Sequence, residues 1–256
     1  MTSKFPDLKK KNIIITGGNG FLGKQLTKAF INQGSNVFIF DLKTSKNKKN
    51  LKYFNVDITR EKQLSRILEK FKKDKIKADI LINNAAYDHT PKKKNNMKLN
   101  LEDYSIENFN FELNVGLTGS FLCTKLFGNY MSKNKGGVIL NISSDLGIIA
   151  PNQEVYKPSN FIKPVTYSII KHGIIGLTKY TAAYWAKKKI RCNAIAPGGI
   201  YNNQNKTFVK NIKKLIPMGR MAKKNEYNDL VLFLCSKSSS YINGSVVIAD
   251  GGRSII

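Results

Sequence analysis

Acidic residues are scarce in this chain. Its 256 residues hold 17 Asp and Glu against 43 Lys and Arg, a formal charge of +26 at neutral pH. Cysteine is scarce too. Cys123, Cys192 and Cys235 are odd in number and far apart, which gives neither a disulfide framework nor a metal-ligand spacing. Free buried thiols in a reducing cytoplasm, with no metal, are therefore expected. No apolar run approaches a membrane span. The first one, Ile13 to Ile15, follows a polar, basic start that does not read as a signal peptide. Only 7 prolines, with 41% hydrophobic residues, exclude a disordered chain. One large globular domain over residues 1–256, with a substantial core, is what remains.

The positive charge is clustered at Lys9 to Lys11, at Lys46 with Lys48 and Lys49, at Lys92 to Lys94 and at Lys187 to Lys189. These clusters fall at separate loops and helix ends. No RNA motif interleaved with aromatic residues and no zinc-finger spacing accompanies them, so nucleic acid is the disfavoured partner. A solvated surface is the favoured reading, and steering of an anionic small-molecule substrate comes next.

Strand-like and helix-like segments alternate along the chain. Asn12 to Thr16, Asn36 to Asp41, Lys52 to Val56, Ala78 to Ile82, Val138 to Ile142, Ile190 to Ile195 and Ser245 to Ala249 read as strands. Helices are expected over Phe21 to Gln33, Glu61 to Lys73, a long stretch from Ser105 to Met131, Thr166 to Lys187, Asn202 to Lys214 and Asn225 to Cys235. His89 to Asn100 reads as a surface excursion, and Ala150 to Pro164 as a second irregular stretch. Strands alternating with helices imply βαβ units, and so an α/β, Rossmann-type, doubly wound parallel sheet of about seven strands.

The first strand runs into Thr16-Gly17-Gly18-Asn19-Gly20-Phe21-Leu22-Gly23 and then a helix. Glycines between a strand and a helix let the backbone turn sharply and approach a pyrophosphate at the helix N-terminus. Asp41 ends the second strand, 24 residues after Gly17. A carboxylate there accepts hydrogen bonds from both ribose hydroxyls of NAD and repels the 2′-phosphate of NADP, although Lys43 nearby softens that rejection. Asp57, followed by Ile58, meets the adenine or caps a helix. Further on, Tyr167 and Lys171 stand four residues apart, one helical turn. A lysine ammonium beside a phenol favours the phenolate and brings it into general acid–base range. Tyr184 and Lys188 share that spacing, but they come only a few residues before the sixth strand.

In this order the motifs resemble those of the short-chain dehydrogenase/reductase family, over nearly the whole chain. The resemblance is carried by the glycine turn, Asn83-Asn84-Ala85-Ala86 after the fourth strand, Asn114, Ser143 in Asn141-Ile142-Ser143-Ser144, the Tyr167/Lys171 pair, Pro197-Gly198-Gly199-Ile200 and Asp250-Gly251-Gly252. It implies hydride transfer between a nicotinamide cofactor, NAD rather than NADP, and a carbinol or carbonyl carbon. Tyr167 would exchange the proton, Lys171 would lower the phenol pKa and hold the nicotinamide ribose, Ser143 would bind the substrate oxygen, and Asn114 would anchor a relay water. Thr16, Gly17, Asn19, Gly20, Phe21, Leu22, Gly23, Asp41, Asp57, Ile58, Asn84, Ala85, Ala86, Tyr167, Lys171, Pro197, Gly198, Gly199 and Ile200 are the cofactor contacts it implies. A homotetramer built from the long helices around Asn108 to Met131 and Thr166 to Lys187 and from the C-terminal strand is also implied, and the sequence alone does not separate it from a dimer.

Two departures stand out. The glycines follow Thr-Gly-x-x-Gly-x-x-Gly, the spacing of the family's extended members, whereas the length and the downstream motifs are those of its shorter ones. The interval from Ser143 to Tyr167 is 24 residues, about twice the family's usual one, so the extra residues, roughly Val155 to Val165, should form a loop beside the site. That stretch, with Ala196-Pro197-Gly198-Gly199-Ile200-Tyr201-Asn202-Asn203-Gln204, resembles a subgroup associated with flagellin modification and nonulosonic-acid synthesis, and implies an anionic sugar or nucleotide-sugar substrate. A 3-oxoacyl-(carrier protein) reductase using NADPH is the alternative within the family. A cofactor-binding regulator without turnover is the alternative outside it.

Overall fold

The computed structural model describes residues 4–89 and 99–256. Its centre is one sheet of seven parallel strands: β1 (Asn12–Thr16), β2 (Asn36–Asp41), β3 (Leu51–Asn55), β4 (Ile80–Asn83), β5 (Gly137–Ile142), β6 (Ile190–Pro197) and β7 (Val246–Ala249). They lie in the order β3-β2-β1-β4-β5-β6-β7. The chain therefore builds outward from β1 in one direction and from β4 in the other. In sheets of this order the ligand crevice lies beyond the C-terminal ends of the strands, at the reversal between β1 and β4.

Strands buried on both faces explain the runs of Ile, Val, Leu and Phe. Alternate residues go to opposite sides. Ile14, Phe38, Phe40, Leu81 and Ile139 face one core with α2 (Glu61–Lys73) and the long helical region. Ile13, Ile15, Val37, Ile39, Ile80, Ile82 and Leu140 face the other, against α1 (Phe21–Asn32) and α8 (Asn228–Cys235). In the first core Phe71 is fully buried and meets the rings of Phe38, Phe40, Phe54 and Phe127 at centroid distances of 5.0 to 6.3 Å. A polar seam crosses between the layers. Asn83 donates to Asn141 Oδ1 (2.8 Å) in the adjacent strand, and Asn141 donates to Thr178 Oγ1 (2.8 Å).

The expected helix from Ser105 to Met131 is interrupted. It forms α3 (Ile106–Leu113), α4 (Gly119–Cys123) and α5 (Asn129–Lys133), joined by π-turns at Asn114–Thr118 and Thr124–Gly128. α6 (Val165–Trp185) begins after Pro164, and α7 (Lys206–Lys213) starts later than expected because Asn205, rather than Asn202, caps it by accepting from Thr207 N–H (2.7 Å). Most of the expected surface excursion lies outside the described residues, but His89 at its start is buried against Glu112, so it is not surface. All three cysteines are free and buried. Among the described residues no helix is long and apolar enough to cross a membrane.

Phe71→Ala removes the ring that the other aromatic residues share. It should destabilise the fold by ~3–5 kcal/mol, measured as a lower urea midpoint with the denaturant dependence unchanged.

Candidate active site

The glycine turn is built as a cradle. Gly17 takes φ +63°, and a Cβ on Gly23 would fall 2.3 Å from the carbonyl oxygen of Gly17, so the turn can close on the helix only without a side chain there. Gly20 caps α1 with no side chain bonded to the helix N–H groups. Those donors are therefore left to an anion, and the dipole of α1 favours one.

The neighbouring turn is stitched to this cradle. Thr16 Oγ1 accepts from the N–H groups of Asn84 and Ala85 (both 3.0 Å), and the Asn84 amide donates to the carbonyls of Thr16 (3.0 Å) and Gly17 (3.1 Å). Asn84 thus holds the two turns together through its side chain. Asp41 stands beside the cradle, its carboxylate accepting from Asn19 N–H (3.0 Å) and Lys43 N–H (3.2 Å). Phe21 is exposed at the rim. These features fit a dinucleotide: donors for a pyrophosphate, and a carboxylate one strand away for ribose hydroxyls.

Further expected contacts follow β3 and β6. Asp57 accepts from the N–H (3.0 Å) and hydroxyl (2.7 Å) of Thr59 and pairs with Arg60, so its carboxylate is held by its own loop, and these bonds lower its pKa against the opposing effect of burial. Ile58 is in the first core. Gly198, after β6, donates its N–H to Ala249 O (3.0 Å) and accepts from Tyr227 Oη (3.2 Å). Ile200 forms a parallel bridge with Ala222.

Tyr167 and Lys171 lie on α6 as their spacing requires. The Lys171 ammonium is 5.6 Å from the centre of the Tyr167 ring and donates to Ile142 O (2.9 Å) at the end of β5. Burial lowers the Lys171 pKa to about 8. Burial also holds the Tyr167 phenol above its ordinary range, reinforced by the charge of Asp88. Lys171 stands close enough to favour the phenolate against this desolvation.

The structure divides the two serines. Ser143 is buried and donates to Lys171 O (2.8 Å). The serine within hydrogen-bonding reach of the Tyr167 phenol is Ser144, which also donates to Asp145 Oδ1 (2.8 Å) and accepts from Leu146 N–H (3.2 Å). Asp145 is fixed by a buried ion pair with Arg253 (2.7 Å). Asn114 heads a π-turn, exposed, and among the described residues its side chain makes no hydrogen bond to Tyr167 or Lys171.

Several neighbours carry no spacing signal in the sequence. Glu112, 2% exposed, accepts from the hydroxyls of Tyr104 and Thr166 and bonds His89 Nε2, which fixes the start of α6 one residue before the tyrosine. Lys163 lies over the Tyr167 ring, and Tyr184 is exposed, far from this arrangement in character.

Comparison with known proteins agrees with this geometry. A family model described as enoyl-(acyl carrier protein) reductase matches residues 21–254. A 2-dehydro-3-deoxy-D-gluconate 5-dehydrogenase of Bacillus subtilis is 31% identical, covering 96% of this chain and 95% of its own. A 3-oxoacyl-(acyl-carrier-protein) reductase of Thermotoga maritima is 30% identical, covering 96% and 98%. A short-chain dehydrogenase of Leptospira borgpetersenii, solved with bound NAD+, superposes with a TM-score of 0.87 at 31% identity, over 96% of this chain and 93% of that one. The chain belongs to the short-chain dehydrogenase/reductase family and is an oxidoreductase acting on CH–OH groups.

A lysine whose folded pKa is depressed carries its full burial penalty below about pH 8, and sheds it as pH rises from there toward the value of 10.5 of an exposed lysine. Urea titrations at pH about 7.5 and about 9.5 should show the wild type gaining stability relative to Lys171→Met at the higher pH.

Proposed function

We propose that the protein is an NAD-dependent dehydrogenase that interconverts an alcohol and a ketone on a sugar or sugar-derived substrate. The observation that carries the chemistry is the Tyr167 phenol flanked by Ser144 and Lys171 at the end of β5, two strands from the glycine cradle that follows β1. A bound nicotinamide supplies or accepts the hydride.

The chain's own residues handle the proton and the charge. In the reducing direction the phenol donates to the oxygen that gains negative charge, and the Ser144 hydroxyl stabilises that oxygen. Lys171, fixed on Ile142 O, stands as a cation next to the phenolate that results. In the oxidising direction the phenolate takes the proton back. Ser143 serves by holding Lys171 through its backbone carbonyl, and the oxygen-binding role passes to Ser144.

NAD is favoured because Asp41 sits beside the cradle with its carboxylate anchored by two backbone N–H groups. A sugar-type substrate is supported by the name of the Bacillus subtilis relative, and a bacterial glycan precursor of the nonulosonic type by the inserted stretch before Tyr167. The Thermotoga maritima relative supports the second reading, an oxoacyl thioester reductase, for which a carboxylate at Asp41 is unsuited to NADPH. Exposed Phe111, Phe121, Ile169, Tyr180 and Tyr184 on α3, α4 and α6 support self-association.

Two sets of variants test the reading. Tyr167→Phe should abolish turnover while leaving NAD affinity within a few-fold. Ser144→Ala should lower kcat ~100-fold or more, beyond the loss in Ser143→Ala. Nicotinamide absorbance over sugar acids, nucleotide sugars and 3-oxoacyl thioesters checks both and separates the substrate readings. Asp41→Asn should narrow the preference for NAD over NADP, read as the ratio of kcat/KM for the two; an unchanged ratio would remove Asp41 from the selectivity argument.

A further inference from the structure

The inserted loop before α6 delivers a lysine to the catalytic tyrosine. The Lys163 ammonium lies 3.7 Å from the centre of the Tyr167 ring, closer than that of Lys171. Lys163 is 8% exposed, and its ammonium pairs with Asp88 on the turn after β4. A phenol ring is small, so a cation over its face is also beside its hydroxyl, where the reacting carbon must come.

The position of this lysine is built. Gln153 grips its backbone from both sides, donating to Lys163 O (3.0 Å) and accepting from Lys163 N–H (2.9 Å). The same loop is tied to α7, where Asn211 donates to Lys157 O (3.1 Å) and Phe208 stacks on Tyr156 at 5.3 Å. Burying an ammonium costs stability unless it is matched. Here two buried ammoniums, Lys163 and Lys171, flank one phenol. Asp88, the carboxylate paired with Lys163, has a side chain 48% exposed. Asp145 is committed to Arg253. The mouth of the site thus carries an excess positive charge behind a carboxylate that faces solvent and can be displaced.

We propose that Lys163 is a substrate-recognising residue: it binds a carboxylate or phosphate group of the substrate next to the reacting carbinol, and Asp88 occupies that place until the substrate arrives. This rests on the dehydrogenase reading above and narrows its substrate to an anion. Lys163 then sets the register of the substrate. Its anionic group is held over one face of Tyr167, and the carbinol oxygen is left to Tyr167 and Ser144.

The two partners should respond with opposite signs, which a structural ion pair would not do. Calorimetric titration of the NAD-bound protein with gluconate, tartrate and glucose 6-phosphate, with uncharged glucitol as reference, reads this directly. At least one anion should bind the wild type. Lys163→Met should weaken it ~10- to 100-fold, the worth of a hydrogen bond to a charged group, and Lys163→Arg should recover most of the loss. Asp88→Asn, at an exposed position, should tighten anion binding several-fold because the competing carboxylate is gone. No Lys163-dependent binding of any of the three anions, or weakening by both Lys163→Met and Asp88→Asn, overturns the proposal. So does a loss of turnover in Lys163→Met that is equal for charged and uncharged substrates, since Lys163 would then serve the tyrosine. NAD-dependent turnover that Tyr167→Phe abolishes, with anion binding indifferent to Lys163, sinks this proposal and leaves the dehydrogenase standing. Anion binding that depends on Lys163, with no turnover of any sugar, does the reverse.

Discussion

Lys171 buries its ammonium under α6, and its hydrogen bond to Ile142 O ties that helix to the end of β5. A desolvated cation tolerates little displacement from its acceptor, so this contact fixes the height of α6 over the sheet. The adjacent residue reciprocates: Ser143 donates to the carbonyl of Lys171 itself. With those two bonds set, Tyr167, one turn earlier, arrives at the sheet's C-terminal edge, and Ser144 comes round to face it. Glu112 holds the first turn of the same helix from the other side through Thr166. The phenol is thereby oriented by packing on three sides before any ligand contributes.

The scarcity of acids sharpens the meaning of where they are placed. Of 17 carboxylates, those near the crevice are tied to specific donors: Asp41 to two backbone N–H groups, Asp145 to Arg253, Glu112 to two hydroxyls and His89, and Asp250 to the N–H groups of Gly252 and Ser254. Asp79, at the opposite edge of the sheet, accepts from Asn12 N–H and pairs with Lys11 and Lys77. Other carboxylates, among them Glu69, Glu154 and Asp229, stand on the surface in exposed pairs with Lys72, Lys157 and Lys4, so only the buried ones mark a structural or ligand-binding demand.

The sheet was legible because each strand is an apolar run set off by glycine or polar residues, and β1 and β2 match their expected limits. The interruptions at Asn114–Thr118 and Thr124–Gly128 were not, since a π-turn adds one residue to a turn without removing the apolar character that marks a helix. In the site, Tyr167, Lys171 and the glycine turn were legible through spacing together with their order along the chain, since Tyr184 and Lys188 share the spacing but come too late. Ser144 was not separable from Ser143, because both follow the same strand, and which of the two faces the Tyr167 phenol depends on where β5 ends and how its side chains alternate. Lys163, Asp88 and Glu112 come from three different loops or helices. Only tertiary packing brings them together, so no spacing rule could have joined them.

The surface lysines and Lys163 do not act through the same physics. Exposed charges at physiological salt are screened over ~8 Å, so the excess of cations over the whole surface falls away within a few residues' width and favours any anion alike. Lys163 works behind the protein surface, where screening is weak and a misplaced charge is costly. Its backbone is gripped by Gln153 and its ammonium is paired with Asp88, so the charge is held behind the surface where a free lysine's is not. A general attraction set by composition and a specific one set by the loop are therefore separable by salt. The first fades as ionic strength rises, while the second persists, and only the second can select where on a substrate the hydride is exchanged.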